Sequence, residues 1–170
     1  MDLKKLIRDI PNFPEEGILF RDITTLLKDP NGLAFAIDLL CDKVRDLDFD
    51  LVVGPESRGF IFGVPVAYNL KKGFIPIRKP GKLPYKTHQQ SYSLEYGTNT
   101  LEIHQDAIEP GSKVVLIDDL LATGGTNKAM VDLITRLGGE VVMVVCLIEL
   151  SDLKGRELLT DIVVETLLQY

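Results

Sequence analysis

The stretch from Val114 to Thr126, VVLIDDLLATGGT, limits the possible folds more than any other part of the chain. Val114, Val115, Leu116 and Ile117 form an unbroken apolar run behind the turn residues Pro110 and Gly111. A run with no polar alternation, rich in β-branched residues, fits a strand covered on both faces, as in a parallel sheet. Its carboxyl end leads into two adjacent acids, Asp118 and Asp119, and then into a loop of small residues, Ala122, Thr123, Gly124, Gly125 and Thr126. Beyond the loop Ala129, Met130, Leu133, Ile134 and Leu137 recur at helical spacing, and Gly138-Gly139 closes the helix.

The order strand, acids, loop, helix is suited to a sugar phosphate. The first amides of a helix lack intrahelical partners and lie at the positive end of its dipole. Glycines let the backbone approach an anion, and Thr123 and Thr126 can donate from their hydroxyls. The two carboxylates would repel a phosphate; they suit the vicinal hydroxyls of a ribose instead. Loop and acids together describe a ribose 5-phosphate. No Lys follows the glycines, so this is not a Walker A loop, and there is no G-x-G-x-x-G. The competing reading makes Asp118-Asp119 a solvated corner and the glycines a plain turn. It does not account for four elements in one register.

The length of 170 residues suits one domain, burying about 70% of its unfolded surface. A net charge of −6 argues against a general nucleic-acid surface, so any anion site must be local. No apolar run reaches membrane-span length, and MDLKKLIRDI lacks a signal-peptide core. Cys41 and Cys146 lie in apolar patterns and read as reduced, buried thiols of a cytoplasmic protein. His88 and His104 have no zinc-ligand spacing.

Leu3, Leu6, Ile7 and Ile10 predict a short amphipathic helix over residues 3–10. The segment PNFPEEGILFRDIT should stay irregular, yet Phe13, Ile18, Leu19 and Phe20 should pack on something. A helix is predicted over 30–47. A second buried strand, Leu51 to Val53, ends at Gly54-Pro55, with Glu56, Ser57 and Arg58 beyond it and a helix over 59–70. Ligands of open α/β sheets bind beyond strand carboxyl ends, so this loop can share a crevice with the first. Phe74 to Ile77 is a third strand, followed by the cations Arg78, Lys79 and Lys82 in a Pro/Gly-rich loop suited to a diphosphate. Tyr92, Leu94 and Tyr96 alternate, a turn at Gly97-Thr98-Asn99 reverses the chain, and Leu101 and Ile103 return as a β-hairpin of the kind that forms lids. Val141 to Ile148 is a fourth buried strand, residues 149–159 have helical character, and Ile162 to Val164 forms a last strand before a tail.

The segments FPEEGILFRDIT, ESRGF-FG, RKPGKLP, SYSLEYG-LEIH-DAI-PG and VVLIDDLLATGGT, in this order, resemble the adenine-specific members of the type I phosphoribosyltransferase family over nearly the whole chain. The resemblance implies an α/β fold, a mainly parallel sheet flanked by helices. It implies a single domain in which about 1–35 is a base-binding hood and about 78–106 a basic loop and hairpin lid. On that family's pattern Ala122, Thr123, Gly124, Gly125 and Thr126 would bind the 5-phosphate of phosphoribosyl diphosphate (PRPP), and Asp118 and Asp119 its ribose. Glu56, Ser57 and Arg58 would form the diphosphate loop, which in the family often holds a non-proline cis peptide. Arg78, Lys79 and Lys82 would also meet the diphosphate, partly across a homodimer interface. Phe20 would stack on the purine with Leu120 on its other side, and main-chain groups of Leu19 and Arg21 would read the base edge. Base–aromatic stacking is worth about 1–3 kcal/mol.

The implied reaction is transfer of phosphoribosyl to adenine N9, giving AMP and diphosphate. Mg²⁺ would be held mainly by PRPP and water, with no direct protein ligand. Glu95 would manage the proton at purine N7, and Tyr96 would belong to the lid. A carbonyl aimed at the 6-amino group would face an unpaired oxygen in hypoxanthine or guanine, at about 1–3 kcal/mol. No nucleic acid or membrane is implied as a partner. Two alternatives are a phosphoribosyltransferase for another base, which Leu19 to Arg21 argue against, and a PRPP-binding regulator without catalysis. The second lacks an added DNA-binding helix pair or basic stripe.

Overall fold

A computed structural model describes residues 1–93 and 97–170. In chain order these form a 3₁₀ turn (Leu3–Leu6), β1 (Arg8–Pro11), β2 (Leu19–Asp22), α1 (Thr24–Lys28), α2 (Pro30–Val44), β3 (Leu51–Pro55), α3 (Arg58–Asn69) and β4 (Gly73–Ile77). They continue with β5 (Thr87–Ser93), β6 (Thr98–His104), β7 (Lys113–Leu121), α4 (Gly125–Arg136), β8 (Glu140–Glu149), two 3₁₀ turns (Ser151–Leu153, Gly155–Leu158) and β9 (Val164–Gln169). The chain divides into two compact units, Met1–Leu39 and Leu40–Tyr170.

The second unit is built on a five-stranded sheet of order β4-β3-β7-β8-β9 in which every pairing is parallel. This is the mainly parallel α/β fold that the apolar runs predict. Val114, Val115, Leu116 and Ile117 of β7 are fully buried, as both faces of the sheet are covered. On one face Val53, Ile77, Val114, Leu116 and Val144 pack with Ala129, Met130, Leu133 and Ile134 of α4 and with Leu101 and Ile103 of β6. Ile75 joins this cluster, so Phe74, one residue earlier in β4, points to the opposite face. There Phe60 of α3 meets Phe74 edge-on, with ring centres 5.6 Å apart. Each fully buried side chain of this kind stabilises the fold by about 1.5–3 kcal/mol relative to an exposed one.

This arrangement positions a site. From β3 the chain crosses by α3 to β4; from β7 it crosses by α4 to β8. The two crossovers leave neighbouring strands in opposite directions, over opposite faces, and a crevice opens between the carboxyl ends of β3 and β7.

The opening helix predicted over 3–10 is not formed. Asp2 caps one 3₁₀ turn, accepting from the Lys4 amide at 3.2 Å, and Ile7 is already extended. Arg8 to Pro11 then pair antiparallel with Leu19 to Asp22. Charge explains the choice: Arg8 stands opposite Asp22 and Asp9 opposite Arg21, and both pairs form salt bridges. The segment expected to be irregular therefore contains a strand. Its apolar residues pack only in part: Phe13 meets Phe20 edge-on at 5.2 Å, while Phe13, Ile18 and Leu19 stay about half exposed.

Three boundaries also differ from the sequence reading. Thr98 and Asn99 belong to β6, paired with Ser93 and Tyr92, and of the predicted turn only Gly97 lies in the connection. β7 does not end before the acids but carries Asp118 and Asp119 within it, since β8 pairs with it as far as Leu121. The last strand starts at Val164 and includes most of the expected tail, paired to β8 from Val144 to Glu149.

In the first unit Asp22 accepts from the Thr24 amide at 2.9 Å and from Arg8 Nε at 2.9 Å. The Thr24 amide first, then Arg8, holds its carboxyl at about 2. A folded value below the ordinary one means that this stabilisation is complete above about pH 4 and fades as pH falls through 2. Asp22→Asn should therefore lower Tm at neutral pH by roughly 4–8 °C, and thermal melts should show this gap closing as pH drops from 4 towards 2. A gap independent of pH would refute the assignment.

Candidate active site

The crevice between β3 and β7 holds a cavity of about 380 Å³. From β3 and the start of α3 it is lined by Pro55, Glu56, Ser57 and Arg58, and from β7 by Asp118, Asp119 and Leu120. Ala122, Thr123, Gly124, Thr126 and Asn127 close it at the α4 end, with Lys79 and the hairpin residues Tyr92 and Leu101 at its sides. Two of the predicted anion loops thus face one space.

Each acid of β7 is buried, and each is held differently. Asp119 pairs with Arg58, whose Nε lies 2.9 Å from its Oδ2. Asp118 accepts the Asp119 amide at 2.8 Å. Burial above all, then repulsion by Asp119, pushes the Asp118 carboxyl well above the usual carboxylate range. Cys146 is paired with Asp118 across β7 and β8; burial first, then the charge of the two acids, raises its thiol. Cys41 and Cys146 are both buried and in the thiol form.

The loop between β7 and α4 has the form that binding an anion needs. Gly124 caps α4 with φ +86°, a left-handed value costing an L-residue about 1–2 kcal/mol. It frees the first amides of a helix of 12 residues to face the cavity. Gly125 is not part of the lining; a Cβ on it would come within 3.1 Å of Tyr92 Cδ2. The Thr126 hydroxyl donates to Tyr92 Oη at 3.0 Å, tying the hairpin to this helix end.

The Glu56–Ser57 peptide bond is cis. The Glu56 side chain is engaged by the basic loop: Oε1 accepts the Lys79 amide at 2.7 Å and Arg78 Nε at 3.2 Å. Among the predicted cations, Arg58 and Lys79 line the cavity. Arg78 and Lys82 do not; Arg78 is held by Glu56 and by the Lys82 carbonyl at 3.3 Å. Leu19, Phe20 and Arg21 lie on β2 in the first unit, where Arg21 pairs with Asp9. Glu95 and Tyr96 lie outside the described residues.

Sequence reasoning passed over Tyr92, Leu101 and Asn127 as cavity residues. It also passed over Glu102, which is buried and accepts from the Gly81 amide at 3.2 Å and Gln89 Nε2 at 2.5 Å, while its backbone bonds Arg78 both ways. Glu102 thus folds the basic loop back on β6. The usable signal was an acid between two apolar residues, Leu101 and Ile103, of the returning strand.

The phosphoribosyl transferase domain model matches residues 22–167. The adenine phosphoribosyltransferase of Thermotoga neapolitana is 58% identical over 170 residues, covering all of both chains. The crystal structure of that of Thermoanaerobacter pseudethanolicus superposes with a TM-score of 0.97 at 48% identity, over 99% of this chain and 98% of the other. A Saccharomyces cerevisiae adenine phosphoribosyltransferase, complexed with D-2,5-dideoxy-2,5-imino-altritol 1,6-bisphosphate and adenine, gives a TM-score of 0.89 at 39% identity over 95% and 94% of the chains. The acids and loop of β7, the Glu56–Arg58 loop after β3 and these likenesses converge: the chain belongs to the adenine phosphoribosyltransferases of the phosphoribosyl transferase family.

Proposed function

We propose that the protein transfers the 5-phosphoribosyl group of PRPP to N9 of adenine, forming AMP and diphosphate as a purine-salvage reaction. The observation that carries this reading is the cavity itself, which sets two carboxyl groups between two cationic or amide-rich loops. The loop from Ala122 to Thr126 takes the 5-phosphate at the α4 N-terminus, and Asp118 and Asp119 accept from the ribose hydroxyls. Ser57, Arg58 and Lys79 receive the diphosphate. Glu56 serves the same subsite by holding Arg78 and the Lys79 amide. Arg78 and Lys82 complete the positive rim, in part across a homodimer.

The bond from the anomeric carbon to diphosphate breaks as the bond to N9 forms, and positive charge builds on the ribose ring. The carboxylate of Asp119, beside the ribose, stabilises that charge. Phe20 stacks on the purine with Leu120 as the second apolar contact, and the main chain of Leu19 and Arg21 reads the 6-amino group. Glu95 handles the proton at N7, and Tyr96 belongs to the lid that keeps water from PRPP.

The donor set suits Mg²⁺ carried on the substrate. Asp119 is engaged by Arg58, and among the described residues no three His, Cys, Asp or Glu side chains gather as a cage. When bound on the substrate, the ion would supply positive charge to offset that of the leaving diphosphate. Cytoplasmic residence fits two buried thiols, and no helix among the described residues is long and apolar enough to cross a membrane.

The test is nucleotide formation from PRPP and Mg²⁺ with adenine, hypoxanthine, guanine or orotate supplied singly. AMP from adenine, at least tens-fold faster than product from the other bases, is the expected result. Equal turnover of another base would overturn the base assignment, and no turnover with any base would overturn the enzyme.

A further inference from the structure

We propose that the Glu149–Arg156 ion pair is a positioning element for the anion loop, holding Gly155 against the backbone that receives the 5-phosphate. The inference rests on the reading of Ala122 to Thr126 as the PRPP loop.

Glu149 is the last residue of β8 and is buried. Arg156 forks onto it, Nε donating to Oε1 at 2.7 Å and Nη2 to Oε2 at 2.8 Å. Oε2 also accepts from the Thr166 hydroxyl at 3.0 Å and from Gln169 Nε2 at 3.3 Å. Arg156 Nη1 donates to the Val164 carbonyl at 2.6 Å. One guanidinium therefore ties the segment after β8 to the ends of both β8 and β9, in the geometry that makes Arg–carboxylate pairs strong. The Arg156 hydrogen bonds hold the Glu149 carboxyl below its ordinary range.

The residue before Arg156 is where the pair acts. Gly155 is buried, and a Cβ placed on it would fall on the Ala122 carbonyl and lie 3.0 Å from the Gly124 nitrogen. Conversely, a Cβ on Gly124 would fall on the Gly155 carbonyl. Two backbone stretches touch here with no side chain between them, so a shift of Gly155 is passed directly to the peptide groups of the loop. Glu149, Arg156, Thr166 and Gln169 are all absent from the cavity lining, so they act on substrate indirectly, through the Gly155 contact and through the pairing of Glu149 with Leu121 just before the loop. A network that only stabilised the fold would leave substrate KM values alone.

The test varies PRPP and adenine separately in the full-length protein. Arg156→Ala should raise the KM for PRPP about tenfold, and Arg156→Lys, which keeps the charge but loses the planar fork, about threefold. The KM for adenine and kcat should stay within about twofold. Gly155→Ala leaves the ion pair whole and presses on Ala122, and should raise the PRPP KM at least as much as Arg156→Ala. A folded Arg156 variant with an unchanged PRPP KM, or an equal rise in both KM values, would overturn the proposal. Should Arg156→Ala fail to fold, Arg156→Lys and Gly155→Ala decide. If the unaltered protein makes no AMP, the functional reading fails separately. Calorimetric binding of ribose 5-phosphate, compared between the unaltered chain and Arg156→Lys, then decides the positioning role.

Discussion

Asp119→Asn should lower kcat/KM for PRPP by about 10²–10³-fold while the protein remains folded. A hydrogen bond to a charged acceptor is worth about 1.5–3 kcal/mol, which alone accounts for a factor of roughly 10–150. The amide also removes negative charge beside the carbon that becomes cationic, a loss felt only in the transition state. It further removes the carboxylate charge 2.9 Å from Arg58, beside the proposed diphosphate subsite. Asp118→Asn should cost less, because burial and its neighbour already oppose ionisation of Asp118. Steady-state kinetics with PRPP varied, alongside thermal melts, checks both. A kcat/KM for Asp119→Asn within threefold of the unaltered protein would remove the ribose assignment.

Gly124→Ala should raise the KM for PRPP at least about 10²-fold and lower Tm by roughly 4–8 °C. The backbone there has φ +86°, so any side chain brings a strain of about 1–2 kcal/mol. The added Cβ also points at the Gly155 carbonyl, a backbone atom that cannot rotate away. The loop must move, and the amides that face the cavity move with it. Gly125→Ala provides the comparison: its Cβ would press on the Tyr92 ring at 3.1 Å, a side chain that can yield, and would make an ordinary contact with the Ser93 carbonyl at 3.7 Å. Its PRPP KM should change by less than about tenfold. A normal PRPP KM in Gly124→Ala would mean that the phosphate sits elsewhere.

The parts of this fold legible in the sequence are those governed by one local pattern. Val114 to Ile117 announce a doubly covered strand, and the glycines after Asp118-Asp119 announce the turn into α4, because burial and φ are written in residue type. The opening segment was not legible. Leu3, Leu6, Ile7 and Ile10 satisfy a helical period, but the cross-strand pairing of Arg8 with Asp22 and of Asp9 with Arg21 outweighs it, and such partners are invisible until the register is known. The same holds for the site. Arg58 and Asp119 could each be nominated from their loops, yet their salt bridge joins β7 to α3. Gly155 carries no motif, and the segment around Glu102 does not announce what its carboxylate holds; their roles arise from what lies about 3 Å away in a distant segment.

The opposed crossovers of α3 and α4 have a consequence for how such an enzyme can change. The loop proposed for the leaving group is encoded by one βαβ segment, that for the retained phosphate by another, and the residues proposed to read the base by the first unit. Three recognition tasks thus fall mainly in three separate stretches of sequence, with Leu120 and Glu95 the base contacts proposed outside the first unit. An altered base preference can be sought by varying residues 19–21 alone, with the donor machinery between β3 and α4 kept as an unedited cassette.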